Sequence, residues 1–200
     1  MQLTPLNLVF MVGDYAVSVI LILLFVYLYR SKRIDKVLFY AFWAGCLIGS
    51  VWEFTFMLWG PGFAYSVNPW PFGLSGWPKK LSHSIWDGGI FMVGVWLCQK
   101  LIDRRPLFTS FNWRELGIME IWGVFQGFLV EYLFVGRVWF YVPLPWNPVI
   151  IPPLPGGASA VGYTLIPQLV WIIAPVVFYF SLLWLKKRFD SSTGNEHDST

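Results

Sequence analysis

The stretch GCLIGSVWEFTFMLWG, Gly45 to Gly60, decides how the chain is read. It is apolar over a length that suits a bilayer-crossing helix, yet it carries one glutamate, Glu53. About 20 helical residues cross a hydrocarbon core. Besides the segment 38–60 that contains Glu53, four others qualify: 7–29, 84–101, 116–134 and 161–185. Composition agrees, because 56% of the 200 residues are hydrophobic, only 12% are charged and 13 are tryptophan, a balance far from that of a soluble domain. The expected fold is all-α, a polytopic bundle of five transmembrane helices over residues 1–189, with a disordered cytoplasmic tail from 190 to 200. The first segment lacks a basic leader and a small-residue cleavage site, and reads as a retained span.

Basic residues orient the bundle, since they gather on the cytoplasmic side. Arg30, Lys32, Arg33 and Lys36 fall in the first connection, Lys100, Arg104, Arg105 and Arg114 in the third, and Lys186, Lys187 and Arg188 after the fifth span. Lys79, Lys80 and Arg137 are left for the other side. The N-terminus is therefore expected outside and the C-terminus inside, in a bacterial inner membrane or endoplasmic reticulum. The net charge of +3 reflects this topology, and no nucleic-acid partner is expected.

At a helical rise of 1.5 Å per residue, Asp14, Glu53, Asp87 and Glu131 all come out roughly 6 to 9 Å outside the midplane. Glu120 lies in the inner half. Acids at such depth are costly unless they face the bundle interior, which makes them functional candidates, although a protonated acid also serves as glue between helices. Gly45, Gly49, Glu53 and Phe54 share the pattern G-x3-G-x3-E-aromatic with Gly123, Gly127, Glu131 and Tyr132. Spacing by four keeps each set on one helix face. Each patterned span follows one that enters with an aspartate, so the two hairpins read as parallel repeats.

His83 and Asp87 are four apart and share a helix face, which reads as a proton-handling pair. One histidine is poor for a transition metal, so no metal is expected, and no cofactor. Cys46 and Cys98 lack CxxC spacing and read as buried thiols. No phosphate loop, nucleophile elbow or zinc helix occurs. The outer connections, 61–78 and 136–160, combine proline and glycine with many large apolar residues. They read as aromatic lids over the acid layer, with Trp52, Trp70, Trp86, Phe54, Tyr132 and Trp146 as candidate substrate contacts and Pro167 and Pro175 as places for the fifth span to bend.

An acid layer under aromatic lids suits a lipidic substrate. A carboxylic acid in an apolar site can protonate an epoxide, alkene or carbonyl, and aromatic faces stabilise the cation that follows. SVWEFTFMLWGPG, with Trp52 and Glu53, resembles the tryptophan-glutamate-aromatic motif of the small integral-membrane terpene cyclases that close meroterpenoid epoxides, and SIWDGGIF, with Trp86 and Asp87, is similar to a stretch in the middle of that family. The resemblance implies cyclase activity with Glu53 as proton donor. Members of that family have seven spans and a second essential aspartate near the C-terminus, whereas here Asp87 or Glu131 has to take that place. The expected partners are a lipidic small molecule and membrane lipids, with a homo-oligomer left open. A double-bond or sterol isomerase, a non-catalytic lipid-binding subunit and a small proton-coupled transporter are the alternatives.

Overall fold

The computed structural model describes residues 4–60, 65–67, 69–103 and 106–194, the side chains of 65–67 and 191–194 excepted. The chain is mostly helical, with five long helices: α1 (Pro5–Arg30), α2 (Lys36–Trp59), α3 (Trp77–Leu101), α4 (Trp113–Phe134) and α5 (Leu165–Gly194). Four segments are long and apolar enough to cross a membrane: Pro5–Arg30, Lys36–Trp59, Trp113–Phe134 and Leu165–Asp190. The protein is a multi-pass membrane protein.

Helix starts carry local signals at α1 and α2. Thr4 accepts a hydrogen bond from the Asn7 amide at 3.2 Å ahead of Pro5, and Asp35 accepts one from the Leu38 amide at 2.8 Å; both satisfy amides that the first helical turn leaves without partners. Helix α3 begins at Trp77, earlier than the expected start at residue 84, with Pro78 in the first turn where its missing N–H costs nothing. Lys79 and Lys80 are therefore helical and buried, and they do not lie in the outer solution where the charge count put them. The expected tail boundary at Asp190 falls inside α5; residues 195–200, with Arg104 and Arg105 of the third basic cluster, lie outside the described residues.

Burial is inverted relative to a soluble bundle. In α1 the buried residues are Asn7, Asp14, Ser18 and Phe25, while Val9, Val12, Ile20 and Leu23 are exposed. That stripe of seven and four keeps the polar residues on one helix face, turned toward α3. Helix α3 packs against α1, α2 and α4, and α2 and α4 both pack against α5. The central place of α3 explains its composition, because polar groups facing protein avoid the cost of facing hydrocarbon.

The patterned glycines admit these close approaches. A Cβ at Gly45 would press on Gly88 and Phe91 of α3, and one at Gly49 on the Asp87 carboxyl. In α4, a Cβ at Gly123 would overlap Pro175 and one at Gly127 the Trp171 indole. Pro175 is thus seated against Gly123, and Pro167 lies in the first turn of α5, where no helical hydrogen bond is lost. Gly127→Val is expected to destabilise the fold by about 1–3 kcal/mol through overpacking. Gly117, with open space around it, supplies the control: Gly117→Ala should melt no earlier than the parent in the same detergent.

The two connections expected on the outer side join one another. Strand β1 (Tyr65–Val67) pairs antiparallel with β2 (Trp139–Tyr141), aligning Tyr65 with Tyr141 and Val67 with Trp139, and β3 (Val149–Ile151) pairs with β4 (Tyr163–Thr164) at the entry to α5. Cys46 and Cys98 are free and buried.

Candidate active site

At the end of the bundle under the paired connections lies a cavity of about 90 Å³. A water needs about 10–15 Å³ of such space, so the cavity has room for several waters or for one end of a lipid chain. Every helix reaches it: Phe10 from α1, Trp52, Glu53 and Phe56 from α2, His83, Trp86 and Asp87 from α3, Glu131 and Phe134 from α4, and Trp171 from α5. Trp139 and Tyr141 of β2 close its outer side. The helices must therefore alternate in direction, because the cavity meets the early part of α1, α3 and α5 and the late part of α2 and α4.

The four polar side chains differ in how they are held. Glu53 forms an ion pair with Lys80, Nζ to Oε2 at 2.9 Å, and His83 Nδ1 stands 3.6 Å from its other oxygen. His83 Nε2 is 3.0 Å from Oδ2 of Asp14. The expected partnership of His83 with Asp87 thus gives way to one with α1 and α2, and the imidazole bridges two acids. Asp14 does not line the cavity. It is buried behind His83, where its Oδ1 accepts from the Ser82 hydroxyl at 2.5 Å and its backbone carbonyl from the Trp86 indole at 2.9 Å. Ser18 and Ser82 complete this knot, with hydroxyls 2.6 Å apart.

Glu131 Oε1 accepts from the Tyr141 hydroxyl at 3.1 Å, which ties α4 to the outer connection. Asp87 stands apart: it makes no hydrogen bond or ion pair among the described residues, and its buried Oδ2 faces the space left by Gly49. Lys79 sits behind the wall among three rings, its Nζ 5.2 Å from the centroid of Trp139, 5.5 Å from that of Trp70 and 5.7 Å from that of Phe10, a geometry in which the ring faces attract the ammonium. Neither lysine lines the cavity.

Of the residues singled out in the sequence, Glu53, His83, Asp87, Glu131, Trp52 and Trp86 meet at the cavity. Trp70 is instead part of the ring cage around Lys79. Phe54 is half-buried on α2 outside the cavity wall, and Tyr132 turns away to donate to the Pro155 carbonyl at 2.8 Å. Trp146, 40% exposed, packs edge-on against Trp59 at the outer rim. Sequence reasoning missed Lys79, Lys80, Trp139 and Tyr141. For the lysines a signal existed: with Pro78 taken as a helix start, Lys80, His83, Ser84 and Asp87 fall at i, i+3, i+4 and i+7 of one face. Glu115, at the opposite end of the bundle, accepts from the Phe108 amide and the Tyr179 hydroxyl, both at 3.1 Å, and serves to tie α4 to α5. Among the described residues no group of three or more histidine, cysteine or acidic side chains is arranged to hold a metal ion.

Neither a protein-family model, nor a characterised protein, nor a solved structure matches the chain.

Proposed function

We propose that the protein is an integral-membrane enzyme that cyclises or isomerises a terpenoid lipid by proton transfer. The observation that carries this reading is the meeting of Glu53, His83, Asp87 and Glu131 in a small cavity whose remaining wall is largely aromatic. Carboxyls and ring faces both favour a developing positive charge, and with both lysines outside the wall the cavity offers little to a lipid phosphate.

The roles follow from the partners. Glu53 is paired with an ammonium, so it is suited to accept a proton and not to give one, which moves the donor's part away from the residue that the family resemblance implies. A buried carboxylate with no partner is prohibitively costly, whereas a neutral carboxyl is not. Asp87, which has no such partner, is the donor in this scheme. It protonates an epoxide oxygen or alkene carbon, the substrate's own double bonds attack the cation, and a neighbouring C–H loses its proton to Glu53. Substrate and product are isomers. His83, beside Glu53, relays the proton that Glu53 collects, and Glu131 with Tyr141 holds the oxygen of the substrate. Resetting Asp87 from the proton collected by Glu53 closes the cycle.

Membranes containing the protein, fed open-chain isoprenoid epoxides, test this by mass spectrometry: the expected result is a product of unchanged mass and altered retention. A proton-coupled transporter would return every substrate chemically unchanged, and a lipid-binding subunit would bind without turnover.

This reading includes α3 as a fifth span, with the N-terminus outside and the cavity in the outer half of the membrane. Burial of Lys79 and Lys80 supports it, because Arg137 is then the one basic residue left facing the outer side among those described. Reporter fusions at Thr109 and at the C-terminus should both report the cytoplasm; an outside signal at either would overturn the topology.

A further inference from the structure

A second apolar space adjoins the cavity. Helices α2 and α5 leave an open groove of about 400 Å³ between them, lined among others by Ile48, Val51 and Trp52 on α2 and by Val170, Ile173 and Val177 on α5. Spacings of three and four place each set on one helix face, and Val51, Ile173 and Val177 are 68%, 55% and 45% exposed, so the groove opens toward lipid. Trp52 and Val170 belong to both walls, that of the groove and that of the cavity. Trp52 is held edge-on by Trp171 and Phe91, with ring centroids at 5.9 and 6.3 Å.

We propose that this groove binds the hydrocarbon chain of an open-chain isoprenoid whose reacting end occupies the cavity, and that the lipid enters sideways from the bilayer past Trp52 and Val170. This rests on the function proposed above. A cavity of about 90 Å³ admits a chain end but not a fused ring system, so most of any terpenoid substrate must lie elsewhere. The groove provides that place: it is apolar throughout, shares two residues with the cavity, and follows α5 for roughly 16 Å from Ile166 to Val177 at 1.5 Å per residue.

The test is photolabelling of the full chain in lipid nanodiscs, with an epoxyfarnesyl ether whose diazirine sits at the end remote from the epoxide. Mass mapping is expected to place the adducts on Val51, Ile173 and Val177, and excess unlabelled epoxyfarnesyl ether should reduce them at least fivefold. Val51→Trp and Ile173→Trp, both at exposed positions that tolerate bulk, should fill the groove and reduce labelling by a similar factor, whereas Leu23→Trp on the lipid face of α1 should not. Adducts spread over the lipid face of α1 and insensitive to competitor, or full groove labelling in both tryptophan variants, would overturn the proposal. Labelling requires no turnover, which separates the two ideas. Groove adducts without any product leave the groove standing and remove the enzymatic reading, and product without groove adducts does the reverse.

Discussion

Asp87→Asn is expected to lower turnover of an isoprenoid epoxide by about 10²-fold or more, the usual contribution of a positioned general acid. The amide keeps the size of the side chain against Gly49 but carries no transferable proton. Because Oδ2 of Asp87 has no hydrogen-bond partner among the described residues, the substitution breaks no hydrogen bond there, and the melting temperature should stay near that of the parent. Glu53→Gln is expected to differ in kind. With the donor intact the cation still forms, but without the acceptor it lasts long enough for water to add, so hydrated product, heavier by one water, should rise at the expense of the isomer. Mass spectrometry reads both variants in one assay. Parental turnover in Asp87→Asn would end its assignment as donor, and an unchanged product ratio in Glu53→Gln would end that of the acceptor.

Lys80→Met is expected to cost more stability than Gly127→Val or Asp87→Asn. Lys80 is 2% exposed and pairs with Glu53 at 2.9 Å; removing one partner of a buried ion pair leaves the other charge uncompensated and costs about 3–5 kcal/mol. For a chain of this size each kcal/mol shifts the midpoint by about 2–4 °C, so melting in detergent should fall by roughly 10 °C. The double variant Lys80→Met/Glu53→Gln removes both charges and should recover most of the loss, since a neutral pair of similar volume carries no such penalty. A single variant as stable as the parent would show that the pair is not buried as described. Failure of the double variant to recover would place the role of Lys80 in packing and not in charge.

The meeting of Glu53, Asp87 and Glu131 was legible in the sequence because helical rise turns residue number into height along neighbouring helices, and the three come out at similar heights. The glycine spacing was legible for a related reason: Gly45, Gly49, Gly123 and Gly127 share faces by periodicity alone, and close contact with α3 and α5 is what such faces permit. Hydropathy failed at the start of α3. That criterion measures compatibility with lipid, and α3 meets protein on three sides, so Lys79, Lys80 and His83 could sit in a helix that the profile breaks off at residue 84. The preference of His83 for Asp14 and Glu53 over Asp87 was equally hidden, since a shared helix face says nothing about which neighbouring helix a side chain meets.

By itself, then, the amino-acid sequence determined that this is a helical membrane protein and the number and approximate limits of its long helices, because each of these depends on the solvent that a segment can tolerate. Only the tertiary structure decided the partners: the ammonium of Lys80 on Glu53, the hydroxyl of Tyr141 on Glu131, the Oδ2 of Asp87 left without a hydrogen bond among the described residues, and the pairing of β1 with β2 that brings Trp139 over the cavity. These depend on which helix faces and connections meet, and residues as far apart in sequence as Val67 and Trp139 carry no local signal of that encounter.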